Sequence, residues 1–539
     1  MRAPAPGRER LFLRVVLAFA AGLFLFHLGA GSLWDVDESR YAEAGREILT
    51  TGDPVTQHVN GAPWLGQPPL WIWLQAASGA ALGFSEWSAR IWAAAFGVAG
   101  VYATYGLGRE WFGPRTGVLS ALVLATTLVY VVTSRLAVLD TAAVTWVVLA
   151  LWAGYRAYRT GRRMDYVWSA LFLGLGVLTR GPGTVVLPAV TMLVFLAYRR
   201  SLGRLRDVPW LPAAGAFLAV SVPWYAAETA RYGRAFLDAA VLGHVVPRVG
   251  PPPGAHAGTL LTDSAIVAIG AIPWTAFLPG AAGYHYLHRW QDGSLLCLLW
   301  AGLVFVLVAA AGERLPADVL PLFPVAAIAV GRLWEEFLFE DAGRLRRTLG
   351  ASFVLQIGVV VLLVVGAAEF ATTRYPREFA AVRDFLLAPI GALVLGTGVS
   401  AALFRMRRYT AAFLSLPAAI AVFIGVLYAG TLPAVETQKP MKPLASALAA
   451  RLHPGDRVTT YMIEAPAALV FYAGHRVGQT DDPAALRREM CAPGRVFVVA
   501  RRDDLAAVTG LPAGLQLVDS YGPYVVEMKP PQLACGAGS

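Results

Sequence analysis

The sequence has few charged residues for its length. Asp, Glu, Lys and Arg make up 15% of the 539 residues, whereas about 25% is usual for a soluble globular protein. Hydrophobic residues reach 57% and the mean hydropathy is +0.55. This composition excludes a soluble enzyme, a disordered chain and a disulfide-rich scaffold, and it predicts a polytopic α-helical membrane protein.

Several familiar chemical motifs are also lacking. No Gly-rich phosphate loop, no nucleophile elbow and no Cys/His spacing typical of a zinc site occurs in the sequence. There are only three cysteines. Cys297 falls in an apolar run and is expected to be a core residue. Cys491 and Cys535 follow the last apolar run, on a side where oxidising conditions would permit a disulfide, and the sequence leaves their pairing open.

Apolar runs are abundant up to residue 430. A helix needs about 20 mostly apolar residues to cross a bilayer, and the runs predict about thirteen transmembrane helices. They lie at 11–31, 88–108, 116–134, 140–158, 166–178, 183–198, 209–227, 261–279, 294–311, 316–333, 350–368, 388–404 and 409–430. A shorter run, 69–83, is interpreted as a juxtamembrane or re-entrant helix.

The net charge of +10 superficially resembles that of a nucleic-acid-binding protein. The arginines, however, cluster at alternate ends of the predicted spans, as in Arg199, Arg200, Arg204 and Arg206, or Arg405, Arg407 and Arg408. Such clusters mark the cytoplasmic side of a membrane protein. The pattern predicts a multi-pass protein of the cytoplasmic (inner) membrane, with a cytoplasmic N-terminus, an extracytoplasmic C-terminal domain and no nucleic-acid partner.

The composition changes after Gly430. Short apolar runs then alternate with turns and helical stretches, which predicts a small soluble α/β domain of about four or five strands. We therefore expect a transmembrane domain over 1–435, which contains an outer loop with juxtamembrane helices at 32–87. The extracytoplasmic α/β domain is expected over 436–530 and a loose tail over 531–539.

Acidic residues stand where predicted helices meet the outer face. Asp37 and Glu38 follow the first span, and Asp140 opens the fourth. Acidic groups at membrane depth are costly unless they face a cavity, a partner or an ion. Converging carboxylates could take a proton from an acceptor or favour a bound cation. The alternative, which spacing alone favours, is that Asp37 and Asp140 cap the N-termini of helices.

Three arginines lie at outer helix ends, against the positive-inside pattern. They are Arg40, Arg180 in LTRGPG and Arg314 in GERLP. Arginine there can hold a phosphate through paired hydrogen bonds. The alternative is anchoring at the interface or pairing with acids such as Glu313. Acids and arginines on one face together indicate a phosphate-bearing substrate embedded in the membrane.

These motifs resemble a known family. LWDVDESRYAEAGREILTTGDPV, followed by NGAPWLGQPPLWIWL, closely matches the first-loop motif of the aminoarabinose lipid A transferases and their relatives. Those enzymes are type C (GT-C) glycosyltransferases, related to the protein O-mannosyltransferases. Further matches are AVLDTA (137–142), LTRGPGTVVLP (178–188), VPWYAAETARYG (222–233), GHVVPRV (243–249), IPWTAFLPG (272–280) and GERLPADVLPLFP (312–324). The resemblance implies the GT-C fold and inverting transfer of a sugar from a polyprenyl-phosphate carrier.

The resemblance also implies roles for individual residues. Asp37 matches the motif carboxylate at the catalytic centre, and Asp140 matches the second-loop aspartate. The implied substrate-side residues are Arg40, Tyr41, Arg180 and Arg314, the last two standing where relatives commonly have lysine. A divalent metal is implied as a possible cofactor, with His244 and Glu38 as its candidate ligands.

One departure from the family concerns the residues before Pro68. Relatives have Glu-Lys at this point, where the Glu could serve the metal and the Lys the phosphate. This chain has Gly66 and Gln67. We keep Gln67 as a substrate-binding candidate, and the sugar and the acceptor are left open.

The predicted function is therefore transfer of a sugar from an undecaprenyl-phosphate type donor to a lipid or glycan acceptor on the outer membrane face. One alternative is a protein O-mannosyltransferase-like enzyme that acts on protein hydroxyls. Another is a transporter or flippase for a lipid-linked sugar, although we find no matched halves of the kind such transporters have. An inactive binding relative is a third.

Overall fold

The structure is a computed structural model and describes residues 6–34, 37–242, 260–310, 316–340, 342–374, 376–463, 466–512 and 514–532. Contacts divide the chain into two compact units. The first comprises Met1–Leu28, Leu65–Trp71 and Arg90–Thr431. The second comprises Gly29–Trp64, Ile72–Ala89 and Leu432–Ser539. Most of the outer loop 32–87 therefore groups with the C-terminal residues in the second unit.

The described residues form α-helices along the whole chain and β-strands in the second unit. The helices are α1 (Pro6–Leu25), α2 (Glu38–Thr51), α3 (Leu70–Leu82), α4 (Glu86–Phe112), α5 (Pro114–Ala125), α6 (Leu128–Thr133), α7 (Asp140–Thr160), α8 (Arg163–Arg180), α9 (Val186–Tyr198), α10 (Trp210–Tyr232), α11 (Arg234–Phe236), α12 (Leu260–Gly270), α13 (Leu278–Leu287), α14 (Asp292–Ala310), α15 (Leu322–Glu335), α16 (Ala342–Arg374), α17 (Pro376–Arg405), α18 (Tyr409–Val426), α19 (Leu432–Glu436), α20 (Met441–Ala449), α21 (Ala467–Ala473), α22 (Pro483–Met490) and α23 (Arg502–Ala506). The strands are β1 (His58–Val59), β2 (Ala62–Pro63), β3 (Arg457–Tyr461), β4 (Gly478–Thr480), β5 (Val496–Arg501), β6 (Gln516–Tyr521) and β7 (Tyr524–Lys529).

The first unit is built from apolar helices, as the composition predicts. Each predicted apolar run overlaps one or more of the described helices. Within the described residues, six helices are long and apolar enough to cross a membrane: Glu86–Phe112, Trp210–Tyr232, Asp292–Ala309, Gly343–Gly366, Arg383–Arg405 and Tyr409–Glu436. A bent pair, Ser264–Gly270 and Thr275–Leu287, qualifies as a seventh if it is one span. The mostly helical architecture is therefore confirmed.

A fully buried arginine caps the C-terminal end of α1. The guanidinium of Arg135 donates hydrogen bonds to the carbonyls of Leu23, Phe24 and Phe26. It also lies 3.7 Å from the centre of the Tyr428 ring. The last carbonyls of a helix have no partner within the helix. Arg135 supplies that partner and ties the segment before α7 to α1.

The second unit contains a five-stranded sheet of order β4-β3-β5-β7-β6. Strands β4, β3 and β5 are parallel, whereas β7 pairs antiparallel with both β5 and β6. Phe497 and Val499 of β5 pack in one apolar core, and Val496 and Val498 pack in another. A strand buried on both faces needs a continuous apolar run, which explains VFVVA at 496–500.

All three lysines of the chain lie in this unit. Lys439 and Lys442 follow α19, and Lys529 ends β7. The Lys529 ammonium is buried and donates to the carbonyl of Ala492 at 2.6 Å. Cys491, next to that carbonyl, is disulfide-bonded, whereas Cys535 lies outside the described residues. Cys297 is a free, buried thiol of the first unit, as predicted for a core residue.

Candidate active site

In the first unit, Arg180 joins two carboxylates. Asp140 is the first residue of α7 and Arg180 is the last residue of α8. Because these helices pack together and only two residues connect them, they form an αα-hairpin in which the start of α7 lies beside the end of α8. One guanidinium nitrogen of Arg180 donates to Asp140, and the other lies 3.0 Å from Asp318 Oδ1. Asp318 lies in the 3₁₀ turn Pro316–Val319.

A cavity of about 200 Å³ adjoins this triad. Arg180 and Asp318 line it, together with the hydroxyl-bearing Thr184. The remaining walls are mostly apolar and come from four helices or turns, with Ala143, Val144, Val147, Leu187, Val304, Leu307 and Pro321 among the lining residues. The cavity thus combines a guanidinium with a surface suited to a hydrocarbon chain.

Gln67 lies beside the same arginine. Its side chain is buried, and Nε2 donates a long hydrogen bond of 3.4 Å to the carbonyl of Thr179, the residue before Arg180. The Thr179 hydroxyl in turn accepts from the indole nitrogen of Trp146 at 3.0 Å. A Cβ placed on Gly66 would meet nothing closer than a carbonyl oxygen 3.9 Å away. The structure therefore places Gln67 against the residue before Arg180, pairs Arg180 with Asp140, and leaves room for a side chain at position 66.

In the second unit, Asp37 precedes α2 and is exposed. It holds the N-cap position, but its side chain makes no capping hydrogen bond. Asp140 does not hold the N-cap position of α7, which is Leu139, and its side chain is paired with Arg180. The alternative that these two aspartates serve as helix caps is therefore wrong.

The residues that follow Asp37 are fixed by their neighbours. The Glu38 side chain is 1% exposed, and its Oε2 accepts from the backbone N–H of Trp34 at 3.0 Å. The guanidinium of Arg40 lies 5.7 Å from the centre of the Trp64 ring. The Tyr41 ring also lies 5.7 Å from Trp64, centre to centre. Arg40, Tyr41 and Trp64 thus form one aromatic and cationic cluster.

Two further acids of α2 lie deeper than Asp37. Glu43 is buried, and both of its oxygens accept from Arg46, at 2.6 and 2.9 Å. Burial raises the pKa of the Glu43 carboxyl above its usual value, although Arg46 and its hydrogen bonds act to lower it. Glu47 is also buried and accepts from the backbone N–H of Gly61 at 2.9 Å. Glu47 therefore ties α2 to the turn between β1 and β2, whereas the Glu43–Arg46 pair lies within α2.

Sequence reasoning missed three residues that contribute to these arrangements, namely Asp318, Glu43 and Trp64. Asp318 lies close to Arg314 in sequence, within the GERLPADVLPLFP motif, and this closeness could have identified it as a site residue. Glu43 and Glu47 are four residues apart and therefore share a face of α2.

Two predicted site residues, Arg314 and His244, lie outside the described residues. Among the described residues, no group of three or more His, Cys, Asp or Glu side chains is arranged to hold a metal ion. One oxygen of Glu38 is already bonded to the backbone of Trp34. The metal role of His244 and Glu38 stays a prediction.

Comparison with known proteins gives consistent matches. A family model described as dolichyl-phosphate-mannose-protein mannosyltransferase matches residues 66–226. An undecaprenyl phosphate-alpha-4-amino-4-deoxy-L-arabinose arabinosyl transferase of Edwardsiella ictaluri is 27% identical over 394 residues, which cover 70% of this chain and 69% of the relative. The transferase of the same name from Pseudomonas aeruginosa PAO1 is 28% identical over 371 residues, covering 67% of this chain and 66% of that one.

Solved structures show the same fold. The crystal structure of ArnT from Cupriavidus metallidurans bound to undecaprenyl phosphate aligns with a TM-score of 0.80 at 20% identity, covering 98% of this chain and 99% of that chain. The oligosaccharyltransferase of Archaeoglobus fulgidus aligns with a TM-score of 0.53 at 15% identity, covering 92% of this chain and 69% of that one. The resemblance predicted from the motifs is confirmed: the chain has the GT-C glycosyltransferase fold and is related in sequence to the undecaprenyl phosphate-aminoarabinose transferases.

Proposed function

We propose that this chain is an inverting membrane glycosyltransferase that uses a sugar linked to undecaprenyl phosphate or a similar polyprenyl phosphate. The acceptor is a lipid or glycan on the outer face of the cytoplasmic membrane. The observation that carries the proposal is Arg180, paired with two carboxylates beside a cavity with mostly apolar walls. A guanidinium suits a phosphate, and the walls suit a polyprenyl chain. Similarity to transferases named for undecaprenyl phosphate supports the same donor.

The Arg180 triad suits reversible phosphate binding. One guanidinium is shared by two carboxylates. A guanidinium has five N–H donors. A carrier phosphate can accept hydrogen bonds from the donors that now contact Asp140 and Asp318, in place of these carboxylates. Arg180 then stabilises the charge that develops on the phosphate as the sugar departs. Arg314 supplies a second positive charge, and Gln67 contacts the substrate beside Arg180.

The transfer breaks the bond between the sugar anomeric carbon and the phosphate oxygen. The acceptor hydroxyl forms the new bond to the opposite face of that carbon, which inverts its configuration. Asp37 takes or orients the acceptor proton, with assistance from Asp140, and polyprenyl phosphate leaves. Arg40 and Tyr41 contact the sugar or the acceptor. A divalent metal held by His244 and Glu38 is a separate proposal, and none of these steps depends on it.

The proposed topology has about thirteen membrane spans, an N-terminus in the cytoplasm and residues 436–530 outside as an α/β domain. The alternating arginine clusters support it. A cytoplasmic reporter fused after Arg10 and an extracytoplasmic reporter fused after residue 532 should both be active. Inactivity of either would contradict this orientation.

The match of residues 66–226 to a protein mannosyltransferase family supports a second candidate acceptor, the hydroxyl of a protein Ser or Thr. The two acceptors leave different products. Lipid or glycan transfer adds a sugar mass to an envelope lipid or polysaccharide, whereas protein transfer adds it to a peptide.

The test compares strains with the gene, without it and with Asp37→Asn in its place. Mass spectrometry of lipids, envelope glycans and secreted proteins should reveal one sugar adduct that requires the wild-type gene. The Asp37→Asn protein should be inserted at the wild-type level and should give no adduct. A full level of adduct from Asp37→Asn, or identical profiles in all three strains, would overturn the proposal.

A further inference from the structure

We infer that Lys439 and Glu436 are positioning residues for the outer loop that carries Asp37, an inference that rests on the proposed function. Both residues lie at the start of the C-terminal part of the second unit. The loop from Ser32 to Tyr41 belongs to the same unit. The two segments are joined at consecutive loop residues.

The first attachment is at Ser32. Its backbone N–H donates to Glu436 Oε2 at 2.9 Å, and its carbonyl accepts from Lys439 Nζ at 3.0 Å. The two side chains also attract one another, with Lys439 Nζ 3.8 Å from Glu436 Oε2. Both backbone groups of Ser32 are therefore held by one charged pair.

The second attachment is at Leu33 and Trp34. The Tyr472 hydroxyl accepts from the backbone N–H of Leu33 at 2.7 Å and donates to Glu86 at 2.9 Å. The Lys439 ammonium lies 3.7 Å from the centre of the Trp34 ring, within range of a cation–π interaction. Three successive loop residues are thus bonded to the C-terminal segment.

Trp34 also contacts the start of α2 and so connects it to the C-terminal segment. Its backbone N–H donates to Glu38 Oε2 at 3.0 Å, and its carbonyl accepts from the Ser39 hydroxyl at 3.0 Å. Glu38 and Ser39 are the first two residues of α2 and directly follow Asp37. The path from Lys439 to Asp37 therefore runs through one ring and two hydrogen bonds, and a shift of Trp34 would move the start of α2.

The choice of lysine fits this role. The chain has 42 arginines and only 3 lysines. A lysine at position 439 is therefore an exception to the use of arginine in most of the chain. The Lys439 side chain is 17% exposed and contacts a carbonyl, a carboxylate and a ring at once. A compact ammonium can approach all three, whereas a planar guanidinium needs more room. Gly31, next to Ser32, adopts a φ of +75°, and a Cβ there would lie 3.3 Å from Glu436 Oε2.

The experiment uses the full-length protein purified in lipid nanodiscs. The variants are Lys439→Met, which removes the charge, and Lys439→Arg, which keeps it. Trp34→Leu removes the ring, and it replaces Lys439→Met in the comparison if that variant folds poorly. The matched control is Arg488→Gln, which removes one positive charge from an exposed site in the same unit. Amide hydrogen exchange of peptides over 32–45 and the rate of sugar transfer are measured for each protein.

We expect Lys439→Met and Trp34→Leu to exchange faster than wild type at Leu33, Ser39 and Tyr41, while the control does not. Their kcat should fall by about tenfold or more, with an unchanged KM for the donor, because a small misplacement of a catalytic group costs rate rather than binding. Lys439→Arg should recover part of the lost kcat.

Exchange over 32–45 equal to that of Arg488→Gln would overturn the inference. Faster exchange with a wild-type kcat would overturn it too, because the loop would then be held without consequence for transfer. If the wild-type protein transfers no sugar, the proposed function fails, and the exchange comparison alone still decides whether Lys439 holds the loop.

Discussion

Arg180 donates to Asp318 at 3.0 Å across 138 residues of sequence. The arginine stands out in the sequence because it lies at a helix end against the positive-inside pattern, whereas its acidic partner has no such signal. Because Arg180 is also paired with Asp140, Asp318 adds a second negative charge where a carrier phosphate is proposed to bind. Asp318 should therefore weaken donor binding in the free enzyme.

Replacing Asp318 with Asn should lower the KM for the polyprenyl-phosphate donor. The side chains of Arg180 and Asp318 are 33% and 29% exposed, so water screens their interaction and the change should be about threefold to tenfold. Steady-state kinetics with varied donor measures it. Asp207→Asn, at an exposed ion pair with Arg204, is the control and should leave KM unchanged. An increased KM in Asp318→Asn would show that Asp318 helps to bind the donor.

Asp37→Asn should abolish transfer and should lower the Tm less than the loss of a helix cap does. The Asp37 side chain forms no capping hydrogen bond, so the amide removes a charge and no helix cap. Asp482 is the useful comparison, because its carboxylate accepts from the backbone N–H groups of Ala484 and Ala485 and caps α22. Asp482→Ala should lower the Tm and retain transfer. Thermal unfolding and transfer assays on both variants check this, and a loss of Tm in Asp37→Asn as large as that in Asp482→Ala would contradict it.

The stability of the outer loop should depend on pH through Glu43. Burial raises the pKa of this carboxyl, so the folded state favours its protonated form. That contribution is fully present below the usual pKa of glutamate and is lost as the pH rises through the raised folded pKa. Glu43→Gln mimics the protonated form, so the Tm of wild type should fall relative to this variant as the pH is raised.

Thermal unfolding over a pH series measures the difference between wild type and Glu43→Gln. Asp503→Asn, at an exposed position in the same unit, is the control. A constant difference for Glu43→Gln would show that the Arg46 ion pair balances the cost of burial, and a wild-type Tm that rises relative to the variant with pH would show that it outweighs that cost.

Gly61→Ala should destabilise the second unit. Gly61 has a φ of +75°, and an added Cβ would lie 2.4 Å from Nε of Arg476. The strain of an L-residue at this φ should cost more than about 1 kcal/mol. Adding Arg476→Ala removes the clash and should recover only part of the loss. Gly66→Ala is the control, since its Cβ meets nothing within 3.4 Å. Thermal unfolding gives the comparison, and wild-type stability of Gly61→Ala would contradict it.

The helices of the first unit were predictable because a membrane segment is defined by local composition. The apolar run at 140–158 corresponds to α7. Most arginines cluster at alternate helix ends, so an arginine at an opposite end stands out. Arg180 was found in this way. Its pairing with Asp140 was not, because it depends on how α7 and α8 fold back on each other, which no single run of sequence specifies.

Contacts between distant segments were beyond the reach of sequence reasoning. Asn60 pairs with both backbone groups of Val477, 417 residues away, through its side-chain amide. The attachment of Ser32 to Glu436 spans 404 residues. Neither segment has a local pattern that identifies the other. Hence the sequence placed 32–87 with the transmembrane helices, whereas contacts group most of it with the C-terminal residues.

The confinement of lysine to the C-terminal segment has a practical consequence for chemical probing. An amine-reactive reagent has only three side-chain targets in the whole chain. Lys529 is buried and Lys439 is mostly covered, whereas Lys442 is 43% exposed. Acylation should therefore label Lys442 first. Labelling of Lys439 should require loss of its contacts with Ser32, Trp34 and Glu436, so acylation of this native lysine reports whether those contacts are intact, without any engineered residue.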